Sequence, residues 1–131
     1  MRFATLPFLA LALAACATVR DAPIVENGPA SPEGTAAALD QPVQVGALVA
    51  TPKELVEDSR CPSDVQCVWA GRVVLSTRID GAGWRETVPL TLGEAYASHG
   101  TTITLASVTP PKKTTAAIEP GDYRFTFSGG Q

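Results

Sequence analysis

Cys61 and Cys67 are the pair whose residue type and spacing most directly imply chemistry in this 131-residue chain. Three kinds are open to two thiols so placed. A thioredoxin-type redox couple wants Cys-x-x-Cys, whereas five residues intervene here. A structural zinc site wants four ligands, and His99 is the one further strong ligand on offer. A disulfide wants only an oxidising compartment. Closing a loop of about seven residues would then stabilise the fold by roughly 2 to 2.5 kcal/mol, by restricting the unfolded chain. Asp58, Arg60, Ser63, Asp64 and Gln66 crowd hydrogen-bonding groups around the same loop and make it the candidate recognition element.

Catalytic constellations are weaker. His99 is the sole histidine, and Ser98 beside it does not become a hydroxyl–imidazole pair by adjacency. Glu57 and Asp58 would diverge on a strand, unlike the facing carboxylates of a glycosidase. Nothing in the sequence brings Glu94 to Asp122. Phosphate loops, dinucleotide fingerprints, calcium loops and serine elbows do not occur. No catalytic residue, metal site or cofactor is therefore expected, and an uncharted enzyme is kept only as an alternative.

The compartment is written at the N-terminus. Arg2 precedes an apolar run from Phe3 to Ala14, broken by Thr5 and Pro7 and closed by small residues. This is the pattern of a secretory signal, and it is shorter than the roughly 20 apolar residues that span a bilayer. Leu13-Ala14-Ala15-Cys16 resembles the lipobox of bacterial lipoproteins. The resemblance implies removal of residues 1–15 and acylation of Cys16, with attached acyl chains each contributing about 0.8 kcal/mol per buried methylene. Ala17 after the cysteine, where an Asp would mark inner-membrane retention, implies an outer-membrane protein facing the periplasm. Ala15-Cys16-Ala17 also fits an ordinary signal-peptidase site, which would release a soluble chain from Thr18. On either route export leaves Cys61 and Cys67 as an even pair in an oxidising setting, which favours the disulfide.

Loss of residues 1–15 leaves 116 residues, enough for one small domain, and moves the formal net charge from -3 to -4 as Arg2 departs. Scattered bases on an acidic chain argue against a nucleic-acid partner, and Lys112-Lys113 is a lone basic pair after Pro110-Pro111. Residues 16–41, rich in Ala, Pro, Gly and acidic groups, read as a flexible membrane tether with too little apolar surface to offset its ordering entropy.

Residues 42–131 read as one all-β domain. Alternation of Val43, Val45, Ala47 and Val49 with Gln44, Gly46, Leu48 and Ala50 predicts a first strand, and Leu55-Val56 an irregular second one ending at Asp58. Trp69, Gly71, Val73, Leu75, Thr77 and Ile79 share one face of the clearest strand, with Arg72, Ser76 and Arg78 on the other. Asp80-Gly81-Ala82-Gly83 supplies a hairpin turn. The return strand puts Trp84, Glu86, Val88, Leu90 and Leu92 on one face, and Pro89 assigns it to an edge. A short helical turn is expected within 93–100, then a strand over 102–108. Tyr123, Phe125 and Phe127 on the last strand are expected in the core. The whole predicts a small antiparallel β-sandwich or partly open barrel of five to six strands.

The segment from Asp58 to Gly71 resembles a Cys-Pro-x4-Cys-x-Trp-Ala-Gly signature, preceded by Asp-Ser-Arg, of small uncharacterised bacterial envelope proteins. The resemblance carries no activity with it. Read physically, a disulfide pins the loop, Pro62 restricts it, Trp69 enters the core and Gly71 permits close backbone approach. Asp58 and Arg60 have the chemistry to bond the loop's unpaired backbone groups. A membrane-anchored envelope module with a noncatalytic binding or structural role is therefore expected, its partner besides the membrane being an envelope protein or glycan. An inhibitor of an envelope-directed hydrolase, such as a lysozyme or a protease, is the alternative.

Overall fold

A computed structural model of the chain describes residues 28–131. The expected signal segment, Cys16 and its acylation site lie outside the described residues. What is described is all-β: seven strands, β1 (Val43–Val45), β2 (Leu48–Asp58), β3 (Val73–Gly81), β4 (Trp84–Thr91), β5 (Ala95–Ser98), β6 (Thr101–Thr109) and β7 (Arg124–Gly129), with one 3-10 turn at Pro120–Asp122. They form two antiparallel sheets, β1-β2-β3-β4 and β5-β6-β7. The small β-sandwich expected from the alternating pattern is what the chain forms, with one strand more than the upper estimate.

The two sheets face one core. Val43, Val45, Leu48, Ala50, Val73, Leu75, Ile79 and Leu90 of the larger sheet meet Ile103, Leu105, Val108, Phe125 and Phe127 of the smaller. The chain crosses between sheets within two residues: the Leu92 amide donates to Val73 O and the Gly93 amide to Leu105 O. At the opposite margin the Ala47 amide donates to Gly130 O, so the sandwich is stitched on both sides.

Several local expectations hold. The β3–β4 hairpin turns at Ala82-Gly83 with Gly81 facing Trp84, and β4 is an edge strand whose burial alternates as its sequence does. The aromatics Tyr123, Phe125 and Phe127 are buried. Pro52 is tolerated within β2 because β1 covers only Leu48 to Ala50. Beyond that point the β2 edge is open on the side where proline lacks its N–H, and Pro52 O there accepts the Asp40 amide.

Three expectations are corrected. The single strand expected over 43–50 is two strands, because Gly46 adopts φ 57 and its backbone lies where a side chain would meet Gly130 O at 2.6 Å. Face parity flips across that turn, so Leu48 and Ala50, rather than Ala47 and Val49, join the core cluster. The expected helical turn in 93–100 is strand β5, registered against β6 from Ala95↔Thr104 to Ser98↔Thr101. Finally, residues 31–41 are not coil around the domain. Ser31 bridges Val43, and Ala37 exchanges two backbone hydrogen bonds with Phe125 and is fully buried. Small alanines let this segment lie against the sheet edges, and the backbone bonds offset an ordering cost that composition alone made prohibitive.

Candidate functional site

Strand β2 ends in an acid whose environment organises everything beyond it. Asp58, whose side chain is 6% exposed, receives both arms of the Arg60 guanidinium, Nε to Oδ1 at 2.8 Å and Nη2 to Oδ2 at 2.9 Å. The Tyr123 hydroxyl donates to the same Oδ2 at 2.7 Å, and Lys112 Nζ donates to the Asp58 carbonyl at 2.8 Å. Arg60 also reaches across the sandwich to Val108 O and Pro110 O, each at 3.1 Å. The expectation that Asp58 and Arg60 bond the cysteine loop's unpaired backbone groups is corrected: the Arg60 side chain reaches the carbonyls of the 108–110 strand end, and the backbone donor to the Asp58 carboxylate is the Arg60 amide at the loop's neck, at 3.4 Å. A fork-on-carboxylate pair of this kind is planar and directional, so it sets the angle at which the loop leaves the sandwich.

Burial pushes the Asp58 carboxyl up, but the hydrogen bonds from Arg60 and Tyr123 outweigh it and hold the group below its ordinary range. The Tyr123 phenol is pushed up to about 12, first by burial and then by the carboxylate that accepts its hydrogen bond. Arg60 is raised by the same carboxylate against the opposing effect of burial. The triad is thus a carboxylate held ionised with donors on both oxygens, a brace and not a proton-transfer site.

The loop itself is pinned three ways. Cys61 and Cys67 are joined in a disulfide. At the neck, the Ser59 amide donates to Arg72 O, the Arg72 amide to Ser59 Oγ and the Cys61 amide to Ala70 O, while Arg72 pairs with Glu57. Gly71 makes this neck possible: at φ 68 it lies so near Ser59 that a Cβ would sit 1.7 Å from Ser59 O. On the flank, the Ser63 amide donates to Lys112 O at 2.7 Å, and Asp64 accepts from both the amide and the hydroxyl of Thr114. Those Thr114 bonds lower the Asp64 carboxyl. The 110–118 segment that receives the loop also lines a groove of about 320 Å³, formed by Pro110, Pro111, Ala117 and Ile118 with Lys113 and Asp122 beside them.

What the pinned loop displays is apolar. Val65, Val68 and Trp69 are 45%, 92% and 83% exposed. The expected burial of Trp69 is therefore corrected: β3 starts at Val73, and the left-handed Gly71 turns the preceding residues out of the sandwich. Of the five expected recognition residues, Asp58 and Arg60 are the brace, Ser63 and Asp64 fasten the loop to 112–114, and Gln66 is exposed at the tip. The residues missed are Val65, Val68 and Trp69. One signal was present: adjacent large apolar residues on an extended strand point to opposite faces, so one core could not take both Val68 and Trp69.

The catalytic alternative gains little from the geometry. Ser98 Oγ lies 2.8 Å from His99 Nδ1, and Glu86 Oε1 lies 3.9 Å from the same nitrogen. A hydrolytic triad puts the serine and the carboxylate on different ring nitrogens, so these three groups converge in the wrong order. The imidazole instead stacks on Trp84, with centroids 3.9 Å apart and planes 9° from parallel. Glu57 and Asp58 face different partners, Arg72 and Arg60, as divergence along a strand requires. Among the described residues, no three His, Cys, Asp or Glu side chains gather in a way that could hold a metal ion.

Comparison of the chain with protein-family models, with curated proteins and with solved structures finds no match.

Proposed function

We propose that the chain is a noncatalytic binding module of the bacterial cell envelope, attached to a membrane through acylated Cys16 and meeting its partner through the disulfide-pinned loop at 61–71. The observation that carries this reading is the exposure of Val68 and Trp69, 92% and 83%, on a loop that a covalent bond and a buried ion pair hold away from the core. Large side chains left in water by a braced backbone are the usual mark of an interaction surface, and tryptophan is among the residues most enriched at binding hot spots. Bracing also removes ordering entropy that binding would otherwise have to supply. The fastenings at Ser63 and Asp64 serve the same end.

A photocrosslinking side chain placed at Gln66 in cells tests the reading. It is expected to give one discrete adduct, resolved by mass as protein, glycan or phospholipid, and the adduct is expected to disappear in the Trp69→Ala background. No adduct, or an adduct indifferent to Trp69, would refute a recognition role for the loop.

A further inference from the structure

The loop's composition identifies the partner more closely. Building on the anchored-module reading above, we infer that Val68 and Trp69 dock into the interfacial region of a phospholipid bilayer, so that the domain rests on the membrane through this tip.

Residues 65–71 contain no charged side chain, and Gln66 is their one polar side chain. The first charges on either side are Asp64 and Arg72, and both are turned back onto the protein, to Thr114 and Glu57. Residues 65–71 therefore enter the headgroup boundary with no ion of their own, while Asp64 and Arg72 stay exposed at the tip's margin. An indole, apolar in body with one N–H at its edge, is the side chain most at home at that depth. The same local composition suits other partners poorly. A sugar platform needs hydrogen-bonding side chains beside the ring, and Cys67, Val68, Ala70 and Gly71 supply none, Cys67 being in the disulfide. A protein hot spot sits within a polar rim, but the exposed polar side chains at this tip's margin, Ser63, Asp64 and Arg72, are already bonded to Lys112 O, Thr114 and Glu57, which leaves Gln66.

Reach and strength agree with this. From Cys16 to Gly28 is twelve residues, which in any conformation span at most about 43 Å. The docking of residues 31–41 on the sandwich takes that length away from the expected tether, so the lipid stays within about a domain's width. One loop inserting two side chains binds weakly on its own, but a tether raises the effective lipid concentration until weak insertion suffices. With a net charge of -3, or -4 once Arg2 is removed, the chain has no long-range attraction to anionic lipid, so docking is apolar and insensitive to salt.

The test uses the full acylated chain reconstituted in phosphatidylcholine vesicles with brominated or plain acyl chains. The chain has two tryptophans, so Trp84→Phe leaves Trp69 as the sole reporter. Its emission is expected to fall by about half or more in brominated vesicles and to stay so at high salt, as interfacial burial of the ring requires. The Trp69→Phe chain, which keeps Trp84, is expected to be unaffected, and subtracting it from the unsubstituted protein isolates Trp69 should Trp84→Phe fail to fold. A chain that sediments with vesicles while Trp69 ignores bromine and is quenched by aqueous iodide overturns this inference and leaves the anchored-module reading standing. A Trp69 response that appears only on adding an envelope protein or glycan fraction also overturns it. Failure of the chain to associate with vesicles at all overturns both.

Discussion

Asp58→Ala is expected to destabilise the domain by about 3 to 5 kcal/mol, lowering the melting temperature by roughly 15 to 30 °C for a domain of this size. The substitution leaves the Arg60 guanidinium and the Tyr123 hydroxyl without the acceptor they share, the Arg60 side chain being only 16% and Tyr123 only 6% exposed. Asp58→Asn keeps the shape and loses the charge, so it separates packing from electrostatics. The pH dependence follows from the direction of the shift. Because the Asp58 carboxyl is lower in the folded chain, its contribution is fully present above the unfolded value near 3.8 and is lost as pH falls through the folded value. Tyr123 has the opposite sense: its raised phenol contributes below an unfolded value of 10.0, and that contribution is lost as pH rises toward about 12. Denaturant melts from neutral to acid pH should therefore show an acid limb that is shallower in Asp58→Asn. A loss under about 1 kcal/mol in Asp58→Ala would mean the network is peripheral.

Phe125→Ala is expected to cost a comparable 3 to 5 kcal/mol, on the scale of about that size for buried aromatic deletions. Phe125 is fully buried on β7, an outer strand of the smaller sheet, stacks on Tyr123 at 5.9 Å between centroids, and its backbone holds Ala37. Two consequences should appear together in one protein. Stability falls, and the Ala37 amide, protected from hydrogen exchange in the unsubstituted chain by its bond to Phe125 O, exchanges faster. An Ala37 amide that exchanges freely before any substitution would restore residues 31–41 to the tether.

Much of this fold is legible because its signals are local. The β3–β4 hairpin follows from alternation plus Gly81-Ala82-Gly83, and the buried aromatics of β7 follow from spacing two apart. What was not legible depends on contacts distant in sequence. Ala37 pairs only because Phe125 stands opposite, and Gly46 turns where it does because Gly130 occupies the space beside it. Trp69 misled for the same reason: its alternation with Val73 and Leu75 fits a strand, but Gly71 packed on Ser59 ends that strand early. The site divided along the same line. Asp58 and Arg60 could be picked out by type and proximity, whereas their real counterparts, Tyr123 and the carbonyls of Val108 and Pro110, lie some fifty or more positions away.

The central claim is that Trp69 is held outside the core by a braced loop, and equilibrium denaturation of Trp69→Ala tests it most directly. Stability within about 0.5 kcal/mol of the unsubstituted protein is predicted, since an exposed ring gives up no packing when truncated. A loss of about 3 to 5 kcal/mol, the signature of a buried tryptophan, would contradict the account.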